Sequence, residues 1–179
     1  MRFVRVPQLA VIAAALMMLT AAPAQAQRFE VGTSLAGANI GLGDVDLSTV
    51  GVPTAGFNLL SPMLYASFFV GSRFAVEPQV GLVWATQSGE SSHFLSVAGQ
   101  ADYFLKGTRA SSPYVFGTVG VLDVSDSDTN PASVGVGGGY RMVAGGRLCF
   151  RFDGRYVHFT KERGNVLGLA VSIGGLFGR

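Results

Sequence analysis

From residue 28 onward, apolar and polar residues alternate in short runs broken by turn-forming residues. Successive side chains of a strand point to opposite faces, so this alternation predicts strands with two different faces. The clearest run is "RLCFRFDGRYVHF" (147–159). Arg147, Arg151, Asp153 and Arg155 fall on one face, and Leu148, Phe150, Phe152 and Tyr156 on the other. The same period recurs in "RFEVGTSLAG" (28–37), where Phe29, Val31, Thr33 and Leu35 oppose Glu30, Gly32, Ser34 and Ala36. In "RFAVEPQVGLVWA" (73–85), Phe74, Val76, Val80, Leu82 and Trp84 oppose Glu77, Gln79 and Gly81.

Four further segments alternate, at 93–105, 113–121, 133–143 and 165–177, and one at 56–70 is apolar on both faces and fixes no register. Eight strands are therefore expected. The links between them fall into two sets: "GSR", "KGTRASS" and "AGG" on one side, two of them very short, and the stretch around 38–55, "TQSGESS", "DVSDSDTN" and "TKERGN" on the other. Short turns at one end and longer loops at the other are the pattern of outer-membrane barrels.

How the faces are sorted decides between a soluble sandwich and a membrane barrel. A soluble β-sandwich or lipocalin-like barrel hides its large apolar residues and shows charge to water. Here one face carries Phe, Leu, Val, Trp and Tyr. The other carries small residues with charges near the strand centres. That second face cannot be a hydrophobic core, and the first is unsuited to water. Lipid outside and charge inside satisfies both, and lipid requires a closed sheet because no water satisfies an open edge. The predicted fold is an all-β, eight-stranded antiparallel up-and-down transmembrane β-barrel. Eight strands enclose only enough space for side chains to fill. The interior is expected to be a polar network of Glu30, Glu77, Gln79, Gln100, Asp102, Arg141, Arg147, Arg151, Asp153 and Arg155, four acids against four bases. Tyr103, Tyr114, Tyr140, Tyr156 and Trp84 lie towards strand ends, where interfacial girdles form.

The first 26 residues read as a cleaved secretory leader. Arg2 and Arg5 precede the apolar run 9–22, and Ala24 and Ala26 form an A-x-A site. The run is short of the roughly 20 residues that span a bilayer as a helix. No Cys follows it to carry a lipid anchor. Residues 27–179 form the one remaining domain. Without Arg2 and Arg5, eleven bases stand against eleven acids, so the sequence pI of 8.9 overstates the charge of the mature chain. No basic patch that would suit nucleic acid is visible. The only cysteine, Cys149, has no partner for an internal disulfide and reads as a small buried side chain.

"RFAVEPQVGL", "SVAGQADYFL", "PYVFGTVGV", "VGVGGGYRMV" and "RLCFRFDGRY" together resemble the small eight-stranded outer-membrane barrels of Gram-negative bacteria, of the OmpX and OmpA-barrel type. The resemblance covers essentially the whole mature chain. It implies insertion by the barrel-assembly machinery, which reads a last strand ending in Phe; here Gly178 and Arg179 follow Phe177. It also implies outer-membrane lipid and lipopolysaccharide as surroundings, and a monomer. No peptidoglycan-binding domain of the OmpA kind is expected after the barrel.

Some barrels of this size modify lipid A or phospholipids. Those that deacylate resemble one another in a close His-x-Ser arrangement, and this chain has none: His93 and Ser96 fall on opposite faces. His158, with Thr160 and Glu162 near it, reads as a rim histidine at the headgroup level. Asp126, Asp128 and Asn130 match the first ligand positions of an EF-hand loop, but Pro131 stands where Gly is required and Gly137 where the closing Glu belongs. No catalytic residue, metal site or cofactor is therefore expected. The expected role is non-enzymatic, in envelope integrity or surface interaction, with the lumen plugged by paired charges. The alternatives are a lipid-modifying enzyme and a narrow pore for small solutes.

Overall fold

Among the described residues nine strands follow one another in chain order: β1 (Arg28–Leu42), β2 (Ser48–Gly51), β3 (Leu64–Val70), β4 (Phe74–Gln87), β5 (Glu90–Phe104), β6 (Ser112–Val124), β7 (Ala132–Ala144), β8 (Leu148–Phe159) and β9 (Asn165–Gly178). The structure, a computed structural model, describes residues 28–42, 48–51, 64–87, 90–124, 131–160 and 164–178. The leader and residues 43–47, 52–63, 88–89, 125–130 and 161–163 lie outside the described residues; of the expected long link "TQSGESS", Thr86, Gln87 and Glu90–Ser92 are strand, so β4 and β5 run on as a hairpin with only two residues between them.

Every pairing is antiparallel. The sheet runs β1-β3-β4-β5-β6-β7-β8-β9, and β1 pairs β9 to close the ring from Arg28↔Gly178 to Leu42↔Asn165. Eight strands thus form a closed up-and-down barrel, with no helix among the described residues. The predicted strands at 73–85, 93–105, 113–121, 133–143 and 165–177 are each found, one to three residues longer at one or both ends.

Three local features depart from strict alternation. First, β1 shifts register between Ser34 and Ala36, which leaves Leu35 as an extra residue. A bulge of this kind flips the faces beyond it, so Ala36, expected inward, is exposed, and Asn39 turns into the lumen. Second, the second edge of β1 is shared. β3 takes Phe29–Thr33, and the short β2 takes Gly37–Ile40 within the stretch read as a loop. Third, Arg147 lies outside strand and lumen. Gly145 (φ 57°) and Gly146 (φ 71°) carry the β7–β8 turn in a conformation that costs glycine little. The Arg147 N–H donates to the Ala144 carbonyl at 3.3 Å, and the side chain is exposed. The alternation of 147–159 thus begins one residue later than the sequence suggests.

The outer wall is apolar: Leu169 (66%), Val119 (63%), Val136 (61%) and Phe152 (50%) are largely exposed. The inner wall is charged, with Glu30, Glu77, Asp102, Arg141 and Arg151 almost fully buried. No helix among the described residues is long and apolar enough to cross a membrane.

Candidate functional site: the lumen network

Two arginines organise the lumen. Arg141 on β7 and Arg151 on β8 are direct cross-strand partners, an arrangement that is unfavourable unless shared anions separate the charges. Glu30 on β1 does this by bridging them. Its Oε2 accepts from Arg141 Nε at 2.7 Å, and its Oε1 from Arg151 Nε at 2.8 Å. Arg151 then reaches across the barrel. Its Nη1 donates to Glu77 Oε2 on β4 at 2.6 Å, and its Nη2 to Ser67 Oγ on β3 at 2.8 Å. Such charge-assisted bonds are the strong class, and the planar guanidinium suits several acceptors at once.

The network spreads through amides and hydroxyls. Gln79 Nε2 donates to Glu77 Oε1 at 2.7 Å and to Gln100 Oε1 at 2.9 Å, and Gln100 Nε2 donates to Asp102 Oδ1 at 2.7 Å. Tyr65 Oη donates to Glu30 Oε1 at 2.9 Å. The hydroxyls of Ser67 and Tyr114 donate to Glu77 and Asp153. Asp153 faces Arg155 at 4.0 Å, and Asp102 faces Arg151 at the same distance. Buried charges without such partners would be costly.

Nine of the ten residues expected in the lumen are therefore buried there, and the tenth, Arg147, is at the turn. Among the described residues the lumen holds four acids against three bases. Glu30 and Glu77, not Asp102 and Asp153, are the close partners of the arginines.

Aromatic side chains complete the plug, and the small-residue pattern of the inner face gave no sign of them. Tyr114, placed in the girdle by its position, lies in the lumen with Phe116, Phe104, Phe69 and Tyr65. Arg141 sits over the rings of Phe69 (5.0 Å) and Phe104 (5.5 Å), Arg151 over Tyr65 (4.6 Å), and Arg155 over Phe116 (5.3 Å). Cation–π contacts of this kind help to hold desolvated guanidinium groups. A guanidinium stacks on an aromatic face more readily than an ammonium does.

The glycines of β7 provide the room. A Cβ on Gly139 would lie 2.3 Å from the Phe152 carbonyl oxygen and 2.5 Å from Asp153 Oδ1. One on Gly137 would lie 2.3 Å from the Phe116 ring. The "GVGGG" run is thus the surface against which Asp153 and Phe116 pack. The inward glycines on one strand were the available signal that large groups from its neighbours fill that space.

Cys149 is fully buried and free. His158 is half-buried on the outer face near the loop end. Its Nδ1 lies 2.9 Å from Asn165 Oδ1, which also accepts from Tyr156 Oη at 2.7 Å. The Thr160 hydroxyl donates instead to the Ala132 carbonyl at 3.2 Å. Glu162 and the 125–130 acidic loop lie outside the described residues, as does the side chain of His93. No cluster of three or more His, Cys, Asp or Glu able to hold a metal occurs among the described residues.

No family model matches the chain, and no curated protein matches it significantly in sequence. Solved structures do match in fold. The N-terminal β-barrel domain of Pseudomonas aeruginosa OprF aligns with a TM-score of 0.52 at 13% identity, covering 84% of this chain and 98% of that one. Neisserial surface protein A aligns with a TM-score of 0.52 at 13% identity, covering 83% and 95%. The closed ring, the apolar outer wall and these two alignments agree: the chain has the fold of the small eight-stranded barrels of Gram-negative outer membranes.

Proposed function

We propose that the protein is an integral outer-membrane protein, exported by its leader, whose role is structural: envelope integrity or surface interaction through the longer loops. In this reading it sits as a monomer among outer-membrane lipid and lipopolysaccharide. The barrel-assembly machinery inserts it through β9, whose Phe177 is exposed and stacks on Phe29 at 5.2 Å.

The observation that carries the reading is the inversion of the barrel. Leu169, Val119 and Val136 face outward, while Arg151 ties β1, β3, β4 and β8 together through the middle of the lumen. A wall of that composition suits hydrocarbon. A lumen crossed by ion pairs leaves no continuous water column, so the reading is a sealed barrel and not a pore.

Two measurements test it. Expressed with its leader, the protein should fractionate with the outer membrane and migrate differently on a gel with and without boiling. In planar bilayers the folded protein should give no stepwise conductance. Recovery in the soluble periplasmic fraction ends the membrane reading, and reproducible conductance steps end the sealed one.

A further inference from the structure

Among the described residues the turn end of the barrel presents bases and no acids. Arg73 ends the Gly71–Arg73 turn, Lys106 and Arg109 lie in the 105–111 connection, and Arg147 lies in the β7–β8 turn. All four are exposed, and Arg28 at the start of β1 is half-buried beside them. Segments 71–73, 105–111 and 145–147 contain no Asp or Glu. The carboxylates nearest in sequence, Glu30 and Asp102, are buried in the lumen. These bases are scattered along the chain, so no basic run announces them; the up-and-down topology gathers them on one rim.

The rim backbone is tied down. Thr108 N–H donates to the Ser72 carbonyl at 2.9 Å, Phe104 N–H to that of Arg73 at 2.8 Å, and Leu176 N–H to that of Arg147 at 2.7 Å. Arg141 from the lumen holds the Thr108 carbonyl at 2.9 Å.

The rim also lies beside an aromatic band on the outer wall. Phe29 stacks between Phe68 (6.5 Å) and Phe177 (5.2 Å), and Phe74 packs on Tyr103 at 5.0 Å. Arg73 Nη1 donates to Tyr103 Oη at 3.0 Å. A tyrosine with its ring on the apolar wall and its hydroxyl on an arginine marks the level where hydrocarbon gives way to headgroups. At that level the natural counter-ion of a guanidinium is a lipid phosphate.

We propose that the turn-end rim is a binding surface for anionic phospholipid headgroups, with Arg73, Lys106, Arg109 and Arg147 as the contacting residues. It rests on the membrane reading above and adds a lipid preference to it.

The test uses the full mature chain and a variant carrying Arg73→Gln, Lys106→Gln, Arg109→Gln and Arg147→Gln, all at exposed positions. Both are refolded into phosphatidylcholine vesicles, and gel mobility of unboiled samples reports folding and insertion. Lipid retention is then read by native mass spectrometry after exposure to phosphatidylglycerol and phosphatidylcholine together. The unmodified chain should retain phosphatidylglycerol preferentially, by about fivefold for each cation engaged. The preference should shrink in high salt and vanish in the fourfold variant. A loop-end control, Lys161→Gln with Arg163→Gln, should keep it. Insertion without any headgroup preference, or an unchanged preference in the fourfold variant, overturns the proposal and leaves the membrane reading standing. Failure of the unmodified chain to insert removes the membrane reading itself.

Discussion

Replacing Arg151 by leucine should be among the most damaging single changes available in the lumen. The substitution removes the guanidinium that holds Glu77 at 2.6 Å, Glu30 at 2.8 Å and Ser67 at 2.8 Å, and that rests on the Tyr65 ring at 4.6 Å. Breaking a buried ion pair by deleting one partner costs about 3–5 kcal/mol, because the remaining charge is stranded. Glu30 keeps Arg141 and Tyr65, and Glu77 keeps Gln79 and Ser67, which places the ion-pair part towards the lower end. The lost cation–π contact adds about 1 kcal/mol. The expected loss is about 4 kcal/mol. Adding Glu77→Gln removes one stranded carboxylate, so the double variant should be less unstable than the sum of the single ones, with a coupling of about 1–3 kcal/mol. Urea unfolding in detergent micelles, followed by the fluorescence of Trp84, the only tryptophan, and by unboiled gel mobility, gives both quantities by linear extrapolation. A loss below about 1 kcal/mol, the range of an exposed pair, or strict additivity of the two changes would refute the network as described.

Three further outcomes follow from the geometry. Gly139→Val should prevent barrel formation because its Cβ would meet the Phe152 carbonyl at 2.3 Å, whereas Gly117→Val, with nothing within 4 Å, should fold; the fraction of heat-modifiable protein separates them. Leu169→Arg, on the outer wall, should cost about 2–4 kcal/mol at the bilayer midplane, while Leu169→Phe should be close to neutral; equal unfolding free energies in phospholipid vesicles would place Leu169 away from lipid. Cys149, fully buried, should resist maleimide in the folded barrel and react on unfolding, and rapid labelling of the native protein would move it to an accessible surface.

The wall of the barrel was legible because its solvent is uniform. In 74–80, Phe74, Val76 and Val80 are exposed on the outer face while Glu77 and Gln79 are buried in the lumen, so they separate by parity alone. The lumen was less legible because it is not uniform. Phe69, Phe104 and Phe116 are as apolar as any outward-facing residue, and only the glycines opposite them and the guanidiniums stacked on them explain their direction. Parity also fails where one residue is added, as at Leu35, and where a strand stops, as at Arg147. The ionic partners were legible as a set but not as pairs. Which acid meets which arginine depends on how far each side chain reaches across the lumen, and alternation along a strand carries no information about that.

The seam between β1 and β9 has a consequence for assembly. Seven of the eight seams join strands that are near neighbours in sequence; this one joins the first to the last. Glu30 meets Arg141 and Arg151 across 111 and 121 residues of chain, so its neutralisation waits for the ring to shut. A partly curled intermediate in hydrocarbon would leave an anion facing two cations it cannot reach, together with two rows of bare amides and carbonyls. Sealing the edges and discharging the interior are thus one event, which makes release of an unfinished cylinder into the bilayer doubly unfavourable.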